Sequence, residues 1–242
     1  MKKQGNTYLE NDENFYPTRK DENFLVFGSP AIEDAEIDEV VATLKSGWLS
    51  TGPKTARFEA AMAEYKNANY SVAVNSCTAA LHLSLLASGI GPGDEVITTP
   101  MTFCATVNSI IHAGATPVLA DIDPSTLNID PVAVKEKLTE KTRAILPVHF
   151  AGRACAMDDL CTIVEDHNLK MIEDCAHAIE TEYRGKPVGT FGDFGCLSFY
   201  VTKNIVTGEG GMVLAKEEAD AARIKMLGLH GMSKDAWRRF GD

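Results

Sequence analysis

From residue 32 onward the apolar positions set out the architecture. Ile32, Ile37, Val40, Val41 and Leu44 recur at helical spacing, which predicts a helix stopped by the Ser46-Gly47 turn. A second helix is predicted over 54–67. Short apolar runs then alternate with helical periods: strands at 71–75, 95–98, 117–120, 144–148 and 170–173, helices at 78–88, 104–113, 131–138 and 157–167. Strand-helix alternation of this kind builds a mostly parallel sheet covered on both faces, a three-layer α/β/α sandwich. Two further strands, 195–200 and 211–215, are joined by a connection too short for a helical crossover, so one sheet neighbour is expected to run antiparallel. A helix over 217–227 follows.

The bulk properties narrow the class. With 242 residues, 45% of them hydrophobic, the chain can bury one substantial core. Its net charge of -11 argues against nucleic acid or an acidic membrane surface as partner. Residues 1–23 form a polar extension without the apolar run of a secretory signal, and no stretch reaches the length of a membrane span, so a cytoplasmic protein is expected. The six cysteines have neither Cys-x-x-Cys nor zinc-ligand spacing, so they are expected to be reduced and mostly buried, with no metal.

The candidate chemistry gathers at strand ends. Asn75-Ser76-Cys77-Thr78-Ala79 joins a strand to a helix, where free amides at the positive end of the helix can hold a phosphate; plain N-capping by Ser76 or Thr78 is the competing reading. The chain has no nucleotide P-loop and no dinucleotide glycine fingerprint. Asp174 closes the strand of Met171-Ile-Glu-Asp174, at the sheet edge where ligands bind in open α/β folds, and a helix cap or solvated acid is its alternative. Lys203 lies between the apolar run Cys196-Leu-Ser198-Phe-Tyr200 and the glycines 208, 210 and 211, which permit close backbone approach. A lysine facing an aspartate across a small planar ring is what pyridoxal phosphate requires: the lysine as Schiff-base partner and proton carrier, the carboxylate keeping the pyridine nitrogen protonated. Ser198 offers a second phosphate donor. Phe103 could stack on the ring or pack in the core, and His177 could bond the ring oxygen or a backbone group. His82, His112, His149 and His230 carry no signal separable from packing.

From about residue 24 the chain resembles the sugar aminotransferases of the DegT/DnrJ/EryC1/StrS family, within fold type I of the pyridoxal-phosphate enzymes. The motifs are Ser46-Gly-Trp48-Leu-Ser-Thr51-Gly52-Pro, Asn75-Ser-Cys-Thr-Ala-Ala-Leu-His82, Gly91-Pro-Gly-Asp-Glu-Val-Ile, Pro147-Val-His-Phe-Ala-Gly152, Ile172-Glu-Asp-Cys-Ala-His177 and Ser198-Phe-Tyr-Val-Thr-Lys203-Asn. The resemblance implies that Lys203 and Asp174 are catalytic, and that Cys77, Thr78, Ala79, Phe103, His177 and Ser198 bind the cofactor with them. It implies transfer of an amino group from L-glutamate to a keto group of a nucleotide-linked sugar, through a pyridoxamine phosphate intermediate, in amino-sugar biosynthesis for surface glycan, lipopolysaccharide or antibiotic. Lys203 sets the chain apart from relatives that carry histidine there and dehydrate a sugar.

The resemblance also implies a homodimer with a shared active site. Residues 24–242 are expected to form the large cofactor-binding domain, with the family's small C-terminal domain absent or truncated. Two rivals stand beside the aminotransferase: a non-catalytic relative of the same fold that binds the cofactor, and an ordinary dinucleotide-binding enzyme.

Overall fold

The computed structural model describes residues 30–232 together with Gly28. The polar extension 1–23 and the last residues of the chain lie outside them. Seven strands make the central sheet: β1 (Tyr70–Val74), β2 (Glu95–Thr98), β3 (Thr116–Leu119), β4 (Thr142–Leu146), β5 (Lys170–Asp174), β8 (Phe194–Ser198) and β9 (Gly211–Ala215), in the order β1-β9-β8-β5-β4-β2-β3. A separate hairpin of β6 (Glu182–Tyr183) and β7 (Lys186–Pro187) stands outside it. All pairings from β8 to β3 are parallel, and β9 runs antiparallel to both β1 and β8. The expected antiparallel neighbour is therefore β9, wedged between two strands that share a direction.

The helices are α1 (Asp34–Ser46), α2 (Pro53–Tyr65), α3 (Cys77–Ala87), α4 (Cys104–His112), α5 (Pro131–Glu136), α6 (Met157–Asp166) and α7 (Glu218–Gly228). Adjacent strand residues point to opposite faces, and the core splits accordingly. Val96, Ala144, Ile172, Cys196 and Val213 pack with Leu81, Leu85, Ile110 and Ile224 of α3, α4 and α7. Their neighbours Ile97, Ile145 and Met171 pack with Val134, Leu160 and Ile163 of α5 and α6, while Leu197, Met212 and Leu214 face Met62 of α2. Each fully buried aliphatic side chain of this kind contributes about 1.5–3 kcal/mol. The strands are near-continuous apolar runs because both faces are covered.

Local signals explain the boundaries. Gly47 ends α1 in the left-handed region at φ 71°, and Glu33 with Glu36 forms a capping box at its start. Pro53 and Pro131 occupy first-turn positions of α2 and α5. Helix α1 buries none of its own residues among those described, so its apolar stripe stands open.

Candidate active site

The carboxyl ends of β1, β5 and β8 and the start of β9 meet at one edge of the sheet. Gly211 is paired with Val74 on one side and Ser198 on the other, and Asp174 is paired with Cys196. A side chain on Gly211 would run into the backbone of Ser76 and Cys77, so the start of β9 lies directly beneath the N-terminus of α3. That contact brings Ser198 and the Cys77-Thr78-Ala79 turn to one place. The Ser76 hydroxyl caps α3 by accepting from the Ala79 amide at 3.1 Å. The first-turn amides of Cys77 and Thr78 have no partner within the helix and lie at its positive end. Capping and anion binding are thus compatible, because Ser76 performs the first and its neighbours remain for the second.

Asp174 is 5% exposed. Its Oδ2 accepts from Thr106 Oγ1 at 2.8 Å and its Oδ1 from the Ala176 amide at 3.1 Å. Since the only Thr106 hydroxyl proton goes to Asp174, the Thr102 hydroxyl donates to Thr106, at 2.7 Å. This chain ties the loop before α4 to the carboxylate. Burial pushes Asp174 above the usual carboxylate range, against the pull of Thr106, Ala176 and the neighbouring histidines 149 and 177. A cation beside the carboxylate would relieve that cost.

Lys203 is half-buried, and burial lowers its ammonium pKa while Cys77 and Asp174 act to raise it. His177 is lowered first by burial and then by Lys203, with Asp174 opposing. Burial holds Cys77 as a thiol, 3.6 Å from the Cys196 carbonyl. These groups act on one another and share one site. Phe103, at the N-cap of α4, is 77% exposed, so core packing does not account for it. The strand before Lys203 ends at Ser198 rather than residue 200, and Tyr200 is exposed. Gly208, at φ 83°, and Gly210, where a Cβ would strike Thr207, shape the turn, while the close approach made by Gly211 is to α3.

Two features were missed in the sequence. Thr106 stands one helical turn after Phe103, a position that carries no sequence sign of its bond to Asp174. Glu173 and His149 gave no signal, yet both are fully buried and joined, Nε2 to Oε2, at 3.1 Å. The Cys155 amide donates to His149 Nδ1 at 3.1 Å, which places the ring proton on Nε2, facing Glu173. Glu173 also accepts from the amides of Gly189 at 2.7 Å, Phe191 at 2.8 Å and Gly192 at 2.9 Å. Burial raises this carboxyl, but His149 and the amides prevail and hold it below the usual range. Cys175 Sγ lies within 4.8 Å of the ligand atoms of this pair, but both ring nitrogens are already engaged and burial keeps the thiol protonated. The described cysteines are unpaired; 155, 175 and 196 are buried, 77 and 161 half-buried, and Cys104 exposed.

Residues 30–242 match the profile of the DegT/DnrJ/EryC1/StrS aminotransferase family. The spore coat polysaccharide biosynthesis protein SpsC of Bacillus subtilis is 53% identical over 222 residues, which cover 92% of this chain and 57% of SpsC. Spr1654 of Streptococcus pneumoniae, assigned as a sugar aminotransferase and solved in a PMP form, superposes with a TM-score of 0.84 at 39% identity, over 88% of this chain and 59% of that one; it is also solved in a PLP form. DesI, solved with its TDP-sugar product, gives a TM-score of 0.80 at 38% identity, over 87% of this chain and 55% of that one. The chain thus spans less than two thirds of the length of these relatives.

Proposed function

Because the chain belongs to the DegT/DnrJ/EryC1/StrS aminotransferase family, whose cofactor is pyridoxal phosphate, we propose that it transfers an amino group from L-glutamate to a keto group of a nucleotide-linked sugar. The observation that carries this reading is a buried carboxylate, Asp174, close enough to Lys203 for the two charges to act on each other, at the sheet edge where α3 begins. When bound, pyridoxal phosphate supplies the electron sink that makes an amino acid's α proton labile and carries the amino group between substrates.

In this proposal the chain's residues divide the work. Asp174 would keep a proton on the ring nitrogen, and a cationic partner would offset the burial that raises its carboxyl. Lys203 Nζ would hold the cofactor and then move the proton at the substrate α carbon; burial favours the neutral amine this requires. The free amides of Cys77 and Thr78 and the Ser198 hydroxyl would hold the phosphate, with Ala79, whose amide caps onto Ser76, lining the same turn. Phe103 would stack on the ring, and His177 would hydrogen-bond its oxygen. A nucleotide-linked sugar as acceptor is supported by the product bound to DesI. A homodimer with a shared site is supported by the apolar stripe of α1, with Ile37 51%, Val40 61% and Leu44 60% exposed, and by the uncovered Phe103 ring.

The test is a half-reaction. The 242-residue chain loaded with pyridoxal phosphate is mixed with L-glutamate, and the cofactor released by denaturation is identified chromatographically. Conversion to pyridoxamine phosphate, lost in Lys203→Ala, is the expected result. A loaded chain that ignores glutamate would instead be a non-catalytic relative.

A further inference from the structure

We propose that Glu173 and His149 are positioning residues that set the direction of the Asp174 carboxylate from the opposite face of the sheet; this rests on the reading of Asp174 as the partner of the cofactor's ring nitrogen. Side chains alternate along β5, so Asp174 turns toward α3 and α4 while Glu173 turns away from them. On that far side Glu173 is fully buried and accepts four hydrogen bonds, from the Gly189, Phe191 and Gly192 amides and from His149. Both carboxylate oxygens are engaged, Oε2 by His149 and Gly189, Oε1 by Phe191 and Gly192. The carboxylate is thereby fixed in its own rotamer.

His149 completes the clasp from the segment that follows β4. Its amide donates to the Asp174 carbonyl at 3.1 Å, and the Asp174 amide donates to the Pro147 carbonyl at 2.9 Å. The backbone of Asp174 is therefore stapled to the segment after β4, and that segment is stapled to Glu173 by the imidazole. Beyond His149, Asn128 holds the turn by accepting from the Phe150 amide at 3.0 Å and donating to the Arg153 and Ala154 carbonyls. Thr181 Oγ1 donates to the Gly152 carbonyl at 2.6 Å, which joins this turn to the segment following His177. A rotation of β5 at residue 173 would swing Asp174 off its Thr106 bond. Glu173 resists that rotation without touching the cofactor.

The test is a double-mutant cycle on pyridoxal phosphate affinity in the full chain, read by titration of the cofactor's absorption. Glu173→Gln removes the carboxylate charge and one acceptor while keeping the side chain's shape. Expected is at least a tenfold weaker Kd in the wild-type background, with a change under twofold in an Asp174→Asn background, where there is no carboxylate left to aim. An equal loss in both backgrounds would overturn the proposal, since Glu173 would then act on the fold alone, as would no loss in either. If Asp174→Asn by itself leaves Kd unchanged, the reading of Asp174 fails and the proposal falls with it, a result distinct from the other two. Should Glu173→Gln not fold, His149→Gln, which leaves the three backbone donors to Glu173 in place, enters the same cycle with the same non-additivity expected.

Discussion

Glu173 and Asp174 are adjacent, both buried, and driven in opposite directions. Asp174 has two donors and is raised by burial; Glu173 has four and is lowered in spite of it. A carboxyl held below its ordinary value of 4.5 stabilises the fold fully above that value and loses the contribution as pH falls through its folded pKa. Glu173→Gln should therefore cost about 1–3 kcal/mol near neutrality, because one buried donor of the cluster loses its acceptor. In urea denaturation the gap to wild type should narrow in acid, whereas a gap independent of pH would mean the carboxyl is not ionised in the folded chain. Lys66 offers the converse case: it is 1% exposed, donates from Nζ to the Ile179 carbonyl at 2.8 Å, and is lowered by burial from 10.5. A lowered ammonium makes stability rise with pH below 10.5, so the stability of wild type relative to Lys66→Met should increase between pH 7 and 10. The strand end that carries Asp174 and the turn that carries Lys203 were legible in the sequence because both are local. Thr106, 68 residues from its partner Asp174, and His149, 24 from Glu173, were not, because only the sheet order brings them together.

At the scale of elements, every strand of the sheet and every α-helix was legible to within a few residues, since each is a run with its own period and punctuation. The β6–β7 hairpin was not. Its strands have two residues each, too few for any period, and its only signal is the Arg184-Gly185 turn at φ 51° and 78°. The antiparallel partnership of one closing strand could be foreseen, but its insertion between β1 and β8 could not. That insertion makes Gly211 the joint between sheet and phosphate site. In Gly211→Ala the new methyl meets main-chain atoms of Ser76 and Cys77, which cannot swing aside as a side chain would. A destabilisation of about 1–3 kcal/mol, as for other overpacked sites, is expected together with weaker pyridoxal phosphate binding. Unaltered melting and affinity would show that α3 can shift freely and does not depend on this contact.

For the whole molecule, the sequence pattern placed an amphipathic helix at α1 without revealing that nothing among the described residues covers its apolar side. Val40 and Leu44 are 61% and 60% exposed, an arrangement that suits a second copy of the chain. Sedimentation of wild type as a dimer and of Val40→Asp as a monomer would support that partnership, and identical behaviour of the two would remove α1 from the interface. The chemistry concentrates at the active edge of the sheet, where Lys203 is proposed to take the cofactor. The most direct measurement is borohydride reduction of the chain loaded with pyridoxal phosphate, followed by peptide mass spectrometry. A phosphopyridoxyl group on Lys203 is the predicted result, and a group on another lysine, or on none, would contradict it.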